Sequence, residues 1–149
     1  MIELCHGNIF KSTADVFVNP VNCVGVMGKG LALQFKNKFP FMYKKYQALC
    51  SNKELFVGKP YLIYNGNKEH SVLLFPTKKH WKENSKIEYI EEGLDFFIER
   101  MNDNWSFIIS SIAFPMLGCG NGGLNREEVL DIMTNKLSQL DNIKIEIYE

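Results

Sequence analysis

Two glycine-rich stretches, Asn19-Pro-Val-Asn-Cys-Val-Gly-Val-Met-Gly-Lys-Gly30 and Leu117-Gly-Cys-Gly-Asn-Gly-Gly123, are the residues of this chain best suited to chemistry, and the chemistry is the holding of a diphosphate. Glycine lets backbone N–H groups approach an anion without an intervening Cβ, and a helix that starts directly after such a loop adds the positive end of its dipole. Glycine is also the ordinary residue of tight turns, so one loop alone would say little. Two loops, each set between a β-branched apolar run and a helix-like run, point to a bound ligand. Between them Lys78, Lys79, His80, Trp81 and Lys82 join positive charge to an aromatic ring that can stack on a base; the same residues also read as a solvated loop. Asn19 and Asn22 flank Pro20, where a side-chain amide can either reach ribose hydroxyls from a rigid turn or close an Asx turn on itself.

Other chemistries fit poorly. Neither loop is a Walker A loop or a dinucleotide fingerprint: the first ends Gly28-Lys29-Gly30, with no acidic residue about twenty positions on to hold a ribose. His6, His70 and His80 lack paired ligand spacing, so no metal is expected. Cys5, Cys23, Cys50 and Cys119 show no C-x-x-C spacing and read as reduced thiols. Cys23 or Cys119 beside a helix N-terminus is a conceivable nucleophile with a lowered pKa, although a small residue filling a tight loop is the simpler reading. With 17 basic and 17 acidic residues there is no global field for bulk nucleic acid, and any such contact is local and short. The N-terminus is strand-like and no window reaches the length of a membrane span, which predicts a soluble, cytoplasmic protein with no membrane partner.

The elements that must position these residues follow from periodicity. At 149 residues and 46% hydrophobic content the chain fits one compact domain, residues 1–149. Ile2 to Cys5 and Asp15 to Val18 read as strands, the second running into the first glycine loop. A helix follows from Gly30 to Phe39, and Pro40 ends it or starts another that runs through Tyr43 and Tyr46 to Leu49. Gly58 to Tyr64 and Ser71 to Phe75 read as a hairpin around Asn65-Gly-Asn67, with Pro76 stopping the second strand. Ser85, with Glu88 three residues on, predicts an N-cap for a helix whose apolar face is Ile87, Ile90, Leu94, Phe97, Ile98 and Met101. Trp105 to Phe114 reads as a strand buried on both faces that delivers Pro115 and the second glycine loop. Asn125 then caps a helix with Glu127 and Glu128 in its first turn and Val129, Ile132, Met133 and Leu137 buried, and Ile143 to Tyr148 alternates as a last strand. This order predicts a three-layer α/β/α domain around a mixed sheet, with both glycine loops and Thr77 to Trp81 meeting in one cleft at the strand ends.

Asn19 to Phe35, together with Gly118-Cys-Gly-Asn-Gly-Gly-Leu124, resembles the macrodomain family, whose members bind ADP-ribose, and the resemblance spans essentially the whole chain. Phe75-Pro-Thr-Lys-Lys-His-Trp81 resembles, more narrowly, the branch formed by the DarG antitoxins of DarT/DarG systems and the terminal ADP-ribose glycohydrolase. The resemblance implies the macrodomain fold and a metal-independent hydrolase without a cofactor. Its activity would be removal of the ADP-ribose that a DarT toxin attaches to thymidine in single-stranded DNA, with Lys78 as the catalytic residue. As an ammonium Lys78 would stabilise developing charge; as a free amine it would attack the opened sugar. The adenine is implied near Asn8 and Ile9, the distal ribose near Asn22 and Gly120, and the diphosphate against loops 23–30 and 118–123, with Asn19 in the same site. Val26, Met27, Gly28, Gly30, Leu31, Thr77, Pro115, Gly118, Cys119, Asn121, Gly122 and Gly123 complete the implied ADP-ribose site, while Lys79, His80 and Trp81 would touch the nucleic acid.

Implied partners are ADP-ribose, ADP-ribosylated single-stranded DNA and a DarT-like transferase, which in DarG chains pairs with a further C-terminal region. Two departures stand out: Asn8 replaces an aspartate common in the family, and Gly122, with Asn121 and Asn125, stands where a related enzyme uses a second-loop aspartate. Related first loops also occur in hydrolases that remove ADP-ribose from protein glutamates, in ADP-ribose 1''-phosphate phosphatases, and in non-catalytic ADP-ribose readers.

Overall fold

The computed structural model describes residues 1–66 and 69–149. Six strands form one sheet in the order β1-β6-β5-β2-β4-β3: β1 (Ile2–Cys5), β2 (Val16–Val21), β3 (Tyr61–Ile63), β4 (Ser71–Pro76), β5 (Ser111–Pro115) and β6 (Lys144–Tyr148). All neighbours are parallel except β3 and β4, the expected hairpin, so the sheet is mixed. Of the turn placed at Asn65-Gly-Asn67, Asn67 lies outside the described residues.

The strands are apolar on both faces because helices cover both. Val16 and Val18 of β2, Leu73 and Phe75 of β4, and Ile112 and Phe114 of β5 pack in one cluster with α3 (Ile87–Asp103) and α4 (Arg126–Leu137). Their alternates Phe17, Val21, Val72, Leu74 and Ala113 pack on the other face against Phe35 of α1 (Gly30–Lys38) and Met42, Tyr46 and Leu49 of α2 (Pro40–Ser51). Each such side chain contributes about 1.5–3 kcal/mol of burial. The approach of α3 to the sheet is set by Gly93, where an added Cβ would lie 2.7 Å from Cε1 of Phe75.

Three expectations are corrected. Trp105 to Phe114 is not a continuous strand: Trp105–Phe107 forms a 3-10 turn, Phe107 is 85% exposed, and β5 starts at Ser111. Trp105 packs on Phe96 and Phe97 of α3, and the Asp15 carboxylate accepts hydrogen bonds from the Ser110 N–H and hydroxyl at 3.0 and 2.6 Å, fixing the non-strand backbone before β5. Ser85 is not the N-cap of α3; Lys86 occupies that position without a side-chain cap, and Ser85 is buried one residue earlier, its N–H donating to the Gly122 carbonyl at 3.0 Å. The strand expected from Gly58 to Tyr64 shrinks to Tyr61–Ile63, since Phe56 and Lys59 pair across their own turn and Pro60 donates no ladder bond. The N-cap at Asn125 is as expected, with its Oδ1 accepting from Glu128 N–H at 3.0 Å, and Pro40 opens α2.

Candidate active site

Strands β5, β2 and β4 are adjacent and parallel, so the loops at their carboxyl ends lie side by side. These are residues 118–125 (loop 2), 22–29 (loop 1) and 77–82. The Thr77 N–H donates to the Val21 carbonyl at 2.9 Å and the Cys23 N–H to the Lys79 carbonyl at 3.3 Å, joining loop 1 to segment 77–82. Lys78 joins that segment to loop 2: its Nζ donates to the Asn121 carbonyl at 2.8 Å and to the Trp81 carbonyl at 3.4 Å. Loop 1 meets loop 2 where Gly30 abuts Asn121, whose Nδ2 would lie 3.2 Å from an added Cβ. The expected convergence is thus present, with the Lys78 amine at its junction. Partial burial and the nearby Lys29 ammonium hold Lys78 below the usual lysine range.

The two loops offer different electrostatics. Gly30, at φ +57°, turns the chain into α1 in a conformation that costs a side-chain-bearing residue. Lys29 at the N-cap makes no side-chain cap, and the first turn holds no acidic residue, so the leading amides of α1 remain available to an anion. The start of α4 is instead satisfied internally by Asn125, with Glu127 and Glu128 in its first turn. A helix-dipole contribution to an anion in the cleft is therefore available from α1 rather than from α4. Loop 2 is closed by Leu124 N–H to Gly118 C=O at 2.9 Å and by Ser85 N–H to Gly122 C=O at 3.0 Å. Gly122 is buried against Gly118 and Ser85, leaving no room for a side chain.

Asn22 is spent within loop 1. Its Oδ1 accepts from the N–H groups of Val24 (3.1 Å) and Val26 (3.4 Å) and from the Tyr46 hydroxyl (2.6 Å), while its Nδ2 donates to the Val26 carbonyl at 2.8 Å. The Asx-turn alternative is realised, and the side chain is not offered to a ribose in this structure. Asn19 is wholly buried beneath the loop, its Nδ2 facing the sulfurs of Met27 and Met42 and its Oδ1 unpartnered. It lies under the cleft and presents nothing to it. Asn8 caps the turn Ile9–Lys11 by accepting from Phe10 N–H at 3.0 Å, and Ile9 is buried in the same cluster as Val21 and Met27.

Val26 and Gly28 are exposed, Met27 is buried under the loop, and Leu31 packs partly against the α1–α2 side of the core. Thr77 and Pro115 are buried at their strand ends, and Gly118 is buried at the root of loop 2. Cys119 is half-buried, whereas Gly120, Asn121 and Gly123 are exposed. Burial pushes the Cys23 thiol up to about 11 and the Cys119 thiol upward as well, so the thiolate nucleophile considered from sequence is disfavoured.

Segment 77–82 is a built turn. Glu83 N–H donates to the His80 carbonyl at 3.1 Å, Lys82 N–H to His80 Nδ1 at 3.1 Å, and the His80 ring lies 5.4 Å from that of Trp81. Trp81 is 47% exposed, with the Lys82 ammonium 5.1 Å from its ring centre; the Lys79 ammonium lies 6.0 Å from Tyr89. Lys29 and Tyr46 are the neighbours sequence reasoning passed over: one is a lysine among glycines, the other sits in an apolar helical stripe. Away from the cleft, Glu3, Cys5 and Glu146 bring ligand-type atoms within 4.8 Å of one another, beside the Lys144 ammonium.

The Macro domain family profile matches residues 18–133. A Mycobacterium tuberculosis protein named DNA ADP-ribosyl glycohydrolase is 39% identical over 150 residues, covering 99% of this chain and 42% of that protein. The chain thus spans about two fifths of the length of that curated relative. The macrodomain of Mycobacterium tuberculosis DarG superposes with a TM-score of 0.93 at 39% identity, covering 99% of this chain and 97% of that one. Thermosipho africanus DarTG in complex with ADP-ribose gives 0.89 at 41% identity, covering 99% and 41%. A cleft of two glycine loops at the carboxyl ends of a mixed sheet, and matches of this extent, lead to one assignment: the chain belongs to the Macro domain family.

Proposed function

We propose that residues 1–149 act as a macrodomain DNA ADP-ribosyl glycohydrolase that frees thymidine bases in single-stranded DNA from ADP-ribose. The observation that carries this is the Lys78 amine, partly desolvated and held by two carbonyls where the three loops meet. Identity of 39% with proteins named for that activity supports it. In this reading the diphosphate lies on the leading amides of α1 and the backbone of loop 2, the distal ribose lies near Gly120, and the adenine lies near Asn8 and Ile9. The bond between the anomeric carbon and the base nitrogen breaks, water adds across it, and the products are ADP-ribose and the restored base. Lys78 either donates charge stabilisation as an ammonium or attacks the opened sugar as a free amine. Trp81 stacks on a neighbouring base while Lys79, His80 and Lys82 meet the strand, a small footprint suited to a chain of net charge 0. The activity would reverse that of a DarT-like transferase; a fusion of the two activities is named in Thermosipho africanus. No cofactor is invoked, and among the described residues no helix is long and apolar enough to cross a membrane.

The test is release of ADP-ribose from a thymidine-ADP-ribosylated oligonucleotide and from a glutamate-ADP-ribosylated protein, by wild type and Lys78→Ala. Release from DNA that is lost in Lys78→Ala, with ADP-ribose binding retained, is the expected result. Release from protein alone, or ADP-ribose binding without release from either substrate, overturns it.

A further inference from the structure

Loop 1 has little backbone bonding of its own. Among the described residues, the one backbone–backbone hydrogen bond donated or accepted by residues 22–28 is that of Cys23 with Lys79. The shape of the loop depends instead on a knot of side-chain bonds. Asn22 binds the Val24 and Val26 N–H groups and the Val26 carbonyl, and the Tyr46 hydroxyl lies 2.9 Å from the Asn22 carbonyl and 2.6 Å from its Oδ1. Tyr46 is wholly buried in the middle of α2, in the cluster of Met42, Leu49 and Phe35, so its hydroxyl is a fixed point of the core. The packing of Gly25 on Cys50, one helical turn beyond Tyr46, brings the tip of the loop down onto the same helix. Lys78 hangs on loop 2 and on the Trp81 carbonyl, outside this knot.

We propose that Tyr46 is a positioning residue for the diphosphate site: acting through Asn22, its hydroxyl fixes loop 1 so that the free amides at the start of α1 face one point. The inference rests on the cleft's being an ADP-ribose site. Tyr46 acts first on affinity, because the Lys78 amine itself hangs on the Asn121 and Trp81 carbonyls, and loop 1 reaches its segment through the Cys23 N–H to the Lys79 carbonyl. A buried hydrogen bond contributes about 0.5–1.5 kcal/mol, which is roughly a 2- to 12-fold change in a dissociation constant.

The experiment is calorimetric titration of ADP-ribose into wild type, Tyr46→Phe, Asn22→Ala and the double variant, with kcat and KM for each. Tyr46→Phe keeps the ring that fills the core, and Asn22→Ala unties the same knot from the loop side. The expected result is affinity weakened by up to about 12-fold in each single variant, a larger change in KM than in kcat for Tyr46→Phe, and a double variant no worse than the weaker single one. Wild-type affinity in Tyr46→Phe overturns the inference, as does full additivity in the double variant, whatever the melting temperatures. Failure of wild type to bind ADP-ribose overturns the underlying reading and this inference with it.

Discussion

Replacing Gly122 with alanine places a methyl carbon 2.8 Å from the carbonyl carbon of Gly118, and nearer still to the Gly118 oxygen and Ser85 Oγ. Carbon atoms prefer 3.5–4.0 Å, so the contact is deeply repulsive. The serine hydroxyl can rotate away, but the Gly118 carbonyl is main chain and already accepts from Leu124 N–H. Relief therefore requires a backbone shift in loop 2, which also strains the Ser85 N–H bond to Gly122. Overpacking of this kind costs about 1–3 kcal/mol. At about 2–4 °C per kcal/mol for a domain of this size, 2 kcal/mol lowers the melting temperature by about 6 °C. Because the backbone of loop 2 faces the proposed diphosphate and its Asn121 holds Lys78, ADP-ribose affinity falls with the first and release from modified oligonucleotide with the second. Gly120→Ala is the control: nothing lies within 4 Å of its added Cβ, so its melting temperature stays within about 1 °C of wild type. Thermal unfolding by circular dichroism and calorimetric ADP-ribose titration read both variants. A Gly122→Ala protein that melts with wild type, or a Gly120→Ala protein that loses as much, refutes the packing argument.

Lys29→Ala removes a positive charge that lowers the pKa of Lys78, so that pKa rises. The limb of the pH–rate profile set by Lys78 moves to higher pH: the acid limb if the free amine acts, the alkaline limb if the ammonium acts. An unmoved profile dismisses Lys29 as its electrostatic neighbour. Trp81→Ala weakens binding of an ADP-ribosylated oligonucleotide by about 1–3 kcal/mol, in filter binding, while leaving free ADP-ribose affinity unchanged; equal loss for both ligands contradicts base stacking. Burial raises the pKa of all four cysteines, so at pH 8 each carries less thiolate than an exposed thiol and reacts slowly with a disulfide reagent until the chain is unfolded. Fast labelling of Cys23 in the native protein contradicts its burial.

Much of the architecture was legible because periodicity reports burial directly. The helix at Ile87–Asp103 repeats its apolar residues every three or four positions, and the strand Ser71–Pro76 is apolar on both faces. The run from Trp105 misled for the same reason: aromatic residues that pack on a helix and those that enter a sheet look alike in sequence, and only the Asp15 bonds to Ser110 separate them. Convergence of the loops was readable from their following strands, though the adjacency of β5, β2 and β4 was not, because it depends on pairing between distant segments. Asn22 shows the limit at the site. Its residue type suits both a ligand contact and an Asx turn, and the choice is made by Tyr46, a residue more than twenty positions away whose polar end no pattern reveals.

The parallel pairing of β1 with β6 has a consequence for tethering the protein. The Met1 ammonium donates to the Ile143 carbonyl at the amino ends of the strands, whereas the Glu149 N–H donates to the Cys5 carbonyl at their carboxyl ends. A surface linker or fluorophore attached ahead of Met1 starts at the end of the sheet opposite the three loops and leaves an oligonucleotide free to approach. The same handle joined after Glu149 starts on their side and competes for that approach. An immobilised assay of strand binding should therefore be anchored through the amino terminus.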